Sequence, residues 1–175
     1  MIAIRRCLLI LGLSAVVAAG PAVAGDAPSA VGVLEVRVTD HRPAMEQFQW
    51  LKVKLGRLAL HRKGAARRKG WVDLVPGSPA IDIVPLKDGV YRSLGERQVP
   101  IGRYDAVRVN FAAATGALKT GASPTLRPQD TVVAVSLNVS RQANAALVLD
   151  LFAEDQTEHR PPRYAVKVKE VRLGR

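Results

Sequence analysis

The chain has one cysteine, Cys7, in 175 residues. A single cysteine closes no disulfide within the chain and builds no zinc site of several thiolates. Histidine is scarce too. His41, His61 and His159 stand far apart, and none has the His-x-x-x-His spacing that seats a metal. No Gly-x-Ser-x-Gly elbow is present, and no glycine-rich loop leads into a helix to cradle phosphate. No apolar run reaches the roughly 20 residues that a membrane-crossing helix needs. Acidic residues are the minority among charges, 15 Asp and Glu against 26 Lys and Arg.

What is present begins with an address. Arg5 and Arg6 are followed by an apolar run over residues 8–19, then Gly20-Pro21 and Ala22-Val23-Ala24. A charged start, an apolar middle and a small-x-small end form the pattern of a secretory signal peptide. Ile4-Arg5-Arg6-Cys7 is a poor match to a twin-arginine signal, so the general secretory route is expected. Cys7 sits ahead of the apolar run, not at the cut, so lipid anchoring is not expected. The expected organisation is a signal peptide over 1–24, a flexible lead-in over 25–30, and one domain over 31–175, in the periplasm or outside the cell. Removal of residues 1–24 takes away two arginines and no acid. The remaining 151 residues then hold 24 basic against 15 acidic side chains, a formal charge of +9, and no cysteine. A domain of this length buries about 68–70% of its unfolded surface and can stand on its core alone.

The domain reads as strand after strand. Leu34, Val36 and Val38 alternate with Glu35 and Arg37, the period of a half-buried strand. Residues 50–60 alternate through Leu51, Val53 and Leu55, then change parity at Gly56 and resume with Leu58 and Leu60. A glycine at a parity slip marks a β-bulge. A basic loop over 61–70 and a short strand over 71–74 complete a hairpin with a charged tip. Further strands are expected over 81–84, 103–112, 131–139, 145–153 and 164–173, the last with a slip at Glu170. Residues 116–128 read as loop. Together these predict an all-β, antiparallel two-sheet sandwich, immunoglobulin-like or transthyretin-like, with seven or more strands and little helix.

The chemistry concentrates in the basic loop. His61, Arg62, Lys63, Arg67, Arg68 and Lys69 lie within nine residues, with Arg57 just before and Trp71 just after. Clustered guanidinium and ammonium groups bind phosphate or sulfate by charge-assisted hydrogen bonds. The plainer reading is a solvated tip that keeps the sheet soluble. Trp71 could stack on a sugar or pack on the hairpin. A field of this sign favours polyanions, and for an exported chain the expected partners are an anionic polysaccharide or an envelope protein rather than nucleic acid. Asp40 could ligate a cation with Asp150 or Asp155, or cap a turn through its own backbone. No metal, cofactor or catalytic residue is expected, and the domain reads as a non-catalytic binding or structural module of the cell envelope. The rival reading is a hydrolase acting on an envelope polymer, which would need an acid, serine or histidine pair meeting in a pocket.

Several segments carry a family likeness. Leu34-Glu35-Val36-Arg37-Val38-Thr39-Asp40 comes first, then Trp71-Val72-Asp73-Leu74 and Ile81-Asp82-Ile83-Val84-Pro85-Leu86. Asp88-Gly89-Val90, Val99-Pro100-Ile101-Gly102-Arg103-Tyr104 and Leu147-Val148-Leu149-Asp150-Leu151 complete the set. In this order they resemble the bacterial domain of unknown function 4382 family, with Pro-x-Gly-x-Tyr the most specific block. The likeness spans residues 31–152. It departs where His41-Arg42-Pro43 follows Thr-Asp in place of Ala-Pro, and in having no lipid-bearing cysteine. The resemblance implies an exported β-sandwich and supplies no catalytic residue.

Overall fold

The computed structural model describes residues 30–40, 45–75, 77–87, 89–141, 145–156 and 162–174. The expected leader and lead-in, the turn through His41 and Pro43, and His159 lie outside them. Ten strands form: β1 (Val31–Asp40), β2 (Phe48–Arg62), β3 (Trp71–Val75), β4 (Ile81–Asp82), β5 (Arg92–Pro100), β6 (Gly102–Leu118), β7 (Thr125–Pro128), β8 (Thr131–Val139), β9 (Ala145–Asp155) and β10 (Arg163–Gly174). They make two five-stranded sheets. One runs β5-β1-β9-β10-β7, the other β3-β2-β6-β8 with β4 also on β2.

The alternating residues face where their period directs them. Leu34, Val36 and Val38 of β1 and Leu147, Leu149 and Leu151 of β9 are buried against Leu51, Val53, Leu55, Leu58 and Leu60 of β2. Val107 and Val109 of β6 and Leu137 and Val139 of β8 join the same core. Burial of this apolar layer, at about 25 cal/mol per Å2, is the cohesion that replaces cross-links.

The parity slip in β2 is a bulge. Leu55 pairs with Phe111 and Arg57 with Asn110, which leaves Gly56 as the extra residue. β6 answers one step away, where Ala112 is skipped between Ala113 and Phe111. In β10, Val168 pairs with Leu151 and Glu170 with Asp150, so the extra residue is Lys169. Beyond it Val171 and Leu173 pair with Leu149 and Leu147 and so return to the core-facing side; Val171 packs on the core, while Leu173, at the strand end, is 48% exposed.

Three elements depart from the expected pattern. The strand at Ile81 stops after two residues, because Pro85 carries no amide hydrogen for a ladder and Val84–Leu86 turn as a 3-10 helix. β7 occupies part of the segment read as loop, and β5 begins at Arg92. Most pairings are antiparallel, while β1 runs parallel to β9 and β7 to β10. These parallel pairs join segments distant in sequence, which alternation within one strand does not encode.

The connection from β5 to β6 explains the Pro-Ile-Gly-Arg-Tyr segment. Pro100 ends β5. Gly102 turns the chain at φ 153°, a conformation that side chains other than glycine's rarely adopt. Tyr104, buried to 1% exposure, then donates its hydroxyl hydrogen to the Pro100 carbonyl at 2.6 Å.

Candidate cationic site

β2 and β3 pair antiparallel from Leu58 to His61 and from Val75 to Trp71, so the basic loop is the tip of a hairpin. The Arg62 amide donates to the Gly70 carbonyl at 2.9 Å, Ala65 to Arg62 at 3.1 Å and Lys69 to Ala66 at 2.7 Å. Gly70 closes this loop at φ 82°, and a Cβ there would lie 2.3 Å from the Ala65 Cβ. Only glycine fits both constraints. Arg62, Lys63, Arg67, Arg68 and Lys69 project from the closed loop and are exposed.

His61 and Trp71 are the base of the tip, not its surface. The imidazole is 5% exposed. Its Nδ1 lies 2.7 Å from Asp105 Oδ1, and its Nε2 lies 3.4 Å from the Ala66 carbonyl oxygen. Asp105 reaches His61 because it is the extra residue of a β6 bulge: Ala106 pairs with His61 and Tyr104 with Arg62. The hydrogen bond to the Asp105 carboxylate holds the imidazole pKa above its ordinary value, against burial, which opposes the cation.

The Trp71 ring sits 5.0 Å from His61 on one side, and the Arg108 guanidinium lies 3.9 Å from its centroid. Its indole nitrogen donates to the Arg67 carbonyl at 2.9 Å. The ring is therefore engaged on the hairpin, and stacking on a sugar would require Arg108 to leave. Arg57 is engaged too, in a two-pronged pair with Asp73 at 2.6 and 2.9 Å, both side chains half exposed.

The fold adds cations that no spacing in the sequence connects to the loop. The Lys63 amide donates to the Arg103 carbonyl at 2.9 Å, which sets Arg103 beside the tip. Arg141 lies two residues beyond Val139, the partner of Gly102 at the same end of the sandwich. Both arginines are exposed. The carboxylates of this region, Asp73 and Asp105, are committed to Arg57 and His61. Lys63, Arg67, Arg68, Lys69 and Arg103 form no ion pair among the described residues.

The His61–Asp105 pair has the spacing of a catalytic dyad, but its second nitrogen faces a main-chain carbonyl rather than a hydroxyl. Asp40 and Asp150 do not share a face. Thr39, not Asp40, is the register partner of Asp150, so the two acids point to opposite sides of the sheet. Asp40 instead lines a cavity of about 460 Å3 with Met45, Phe48, Val84, Lys87 and Lys119. Among the described residues no group of three or more His, Cys, Asp or Glu could hold a metal, and no helix is long and apolar enough to cross a membrane.

Fold and site together define a two-sheet β-sandwich domain with a cationic end. Residues 31–166 match the family described as Domain of unknown function (DUF4382), and the chain belongs to it. The match extends past the late Leu-Asp strand into β10, as far as Val166. No curated protein and no solved structure matches.

The His61–Asp105 contact sets one pH dependence. The folded-state pKa of His61 is raised, so its stabilisation is fully present below the unfolded value of about 6.5 and is lost as pH rises through the folded value. Thermal unfolding followed from about pH 5.5 to about pH 8.5 should show wild type losing stability relative to Asp105→Asn over the upper part of that range. In the variant burial acts without the carboxylate, and the His61 proton resonance should titrate lower. Parallel profiles for the two proteins would show that the contact contributes nothing.

Proposed function

We propose that this is a non-catalytic, exported module of the cell envelope that holds an anionic glycan at its cationic end. The observation that supports this most is the contrast among the cations. Arg57 and Arg108 are spent on Asp73 and Trp71, while Lys63, Arg67, Arg68, Lys69 and Arg103 stand exposed together without a carboxylate. Gly70 and the His61–Asp105 bond fix the loop that carries four of them. Pre-ordering of this kind lowers the entropy cost of binding. Sulfate, phosphate or carboxylate groups spaced along a polysaccharide meet such an end by charge-assisted hydrogen bonds. Exposed contacts of this sort weaken as salt shortens the Debye length from about 30 Å at 0.01 M to about 8 Å at 0.15 M.

The test is a glycan array of sulfated, phosphorylated and carboxylated polysaccharides, probed with residues 25–175 at both salt concentrations. Binding at low salt should weaken at high salt. It should fall by about tenfold or more, roughly 1.4 kcal/mol, in Arg67→Gln/Arg68→Gln/Lys69→Gln. An array silent at low salt, or signals the triple variant leaves unchanged, would reject this role.

A further inference from the structure

Edge strands expose a row of unpaired main-chain donors and acceptors, and proteins blunt them with charge, proline, bulges or brevity. Among the described residues β5, β7, β3 and the two-residue β4 are blunted edges. β5 carries Arg92, Glu96, Arg97 and Pro100, and it is bulged where Val36 pairs with Gly95 and Arg37 with Ser93. β7 has four residues and ends in Pro128. β3 has five residues and holds Asp73.

The edge at β8 has the least of these devices: its one irregularity is a register shift where Val135 and Ser136 together oppose Asp105. Its nine residues, Thr-Val-Val-Ala-Val-Ser-Leu-Asn-Val, include no charge, proline or glycine. One side of β8 pairs with β6, and among the described residues no strand pairs with its other side. Val132 is 58% exposed, and Val133 and Val135, which point toward the core, are only half-buried.

We infer that β8 is a self-pairing edge: two copies of the chain join antiparallel along β8 about a two-fold axis at Val135, making one continuous sheet from two. The pattern of the strand is self-complementary in this register. Val133 meets Leu137 of the second copy, so core-facing residues meet core-facing residues. Ala134 meets Ser136 and Val132 meets Asn138 on the outer face. A register one residue off would set core-facing against outward residues. The register centred on Val135 also pairs the full strand.

The charges at its two ends favour the same arrangement. Asp130 precedes the strand and Arg141 follows it, both exposed. Antiparallel pairing about Val135 brings Asp130 of each copy alongside Ser140 and Arg141 of the other. Elsewhere on a chain of formal charge +11, contact between copies opposes like charges. On β8 it does not, because the strand is neutral. An isologous contact of this kind closes after two copies and does not grow into a fibre.

Sedimentation velocity of residues 25–175 over a concentration series should show a monomer–dimer equilibrium. Ala134→Lys places two lysines diagonally across the new ladder and should weaken the dimer by about tenfold, roughly 1.4 kcal/mol. Ser136→Glu should weaken it similarly. An equal mixture of the two variants should recover the dimer, because the introduced ammonium of one copy then faces the introduced carboxylate of the other. Circular dichroism reports that each variant keeps its fold. Amide exchange in the unmodified protein gives a second reading, with β8 amides gaining protection as concentration rises. A wild-type monomer at every concentration, a dimer indifferent to Ala134→Lys, or a mixture no better than its components would overturn the inference.

Discussion

Replacing Tyr104 with alanine should lower the unfolding free energy by about 3–5 kcal/mol, and replacing it with phenylalanine by about 1 kcal/mol. The first change empties one of the largest fully buried side-chain volumes in the protein. The second removes only the hydroxyl that donates to the Pro100 carbonyl across the β5–β6 turn. Its cost is small because Pro100 is partly exposed, so water can replace the lost donor. The difference between the two separates the aromatic packing from the pinned turn. A domain of this size holds about 5–15 kcal/mol in all, and no disulfide of its own adds to that. Tyr104→Ala therefore removes a large part of it. Urea unfolding of residues 25–175 measures both values. At about 2–4 °C per kcal/mol, the alanine variant should melt ~10 °C lower. A phenylalanine variant as damaged as the alanine one would place the stabilisation in the hydrogen bond and not in the ring.

That turn is also where a sequence motif and a physical cause coincide. Proline, glycine and tyrosine at spacings of two are visible in the chain. In the fold the proline stops a ladder, the glycine supplies a φ of 153° and the tyrosine hydroxyl bonds back. Strands such as β1, β8 and β9 were equally legible, since alternation by itself states which side chains are buried. β7 was not legible. Its four residues pair by main chain with β10 and bury no apolar row. The first half of β5 is similar, with Leu94 the one apolar residue between Arg92 and Glu96. Edge strands held by backbone bonds leave little trace in side-chain pattern.

The site divides along the same line. The density of Arg and Lys over residues 61–70 is a local property and could be read directly. The roles of those residues are not local. His61 is sunk by a carboxylate 44 positions away, and Trp71 is capped by an arginine from a different strand. Arg57 resembles its neighbours in sequence yet is withdrawn from the cluster by Asp73, while Arg103 enters it through main-chain pairing. Composition located the charged end, and register decided which charges are available there.

Deleting Ala59 should abolish folding, whereas deleting Gly56 should leave the domain folded and Gly56→Ala should cost less than about 1 kcal/mol. The two deletions separate a residue of the regular ladder from the extra residue of a bulge. Leu51, Val53 and Leu55 face the core before the bulge, and Leu58 and Leu60 face it after. The side-chain period of a strand is two, so one residue fewer in its regular part turns everything on one side of the deletion to the opposite face. Loss of Ala59 makes Leu58 and Leu60 neighbours, so one of them would point to water, at about 1.5–3 kcal/mol. With it Arg57 or the His61 imidazole would point inward, away from Asp73 or Asp105. An unpartnered buried cation adds several kcal/mol more, and the sum reaches the range of an ordinary domain's whole stability. Loss of Gly56 has no such effect, because Leu55, Arg57, Leu58, Ala59 and Leu60 then alternate without a break. The alanine variant meets no such barrier either. Gly56 does not occupy the left-handed region, and the nearest atom to an added Cβ is the Ala112 amide nitrogen at 3.4 Å. Circular dichroism and urea titration of the three variants decide the matter. An Ala59 deletion of near wild-type stability, or a Gly56 deletion that unfolds the domain, would mean that alternation along β2 does not decide which side chains the two sheets enclose.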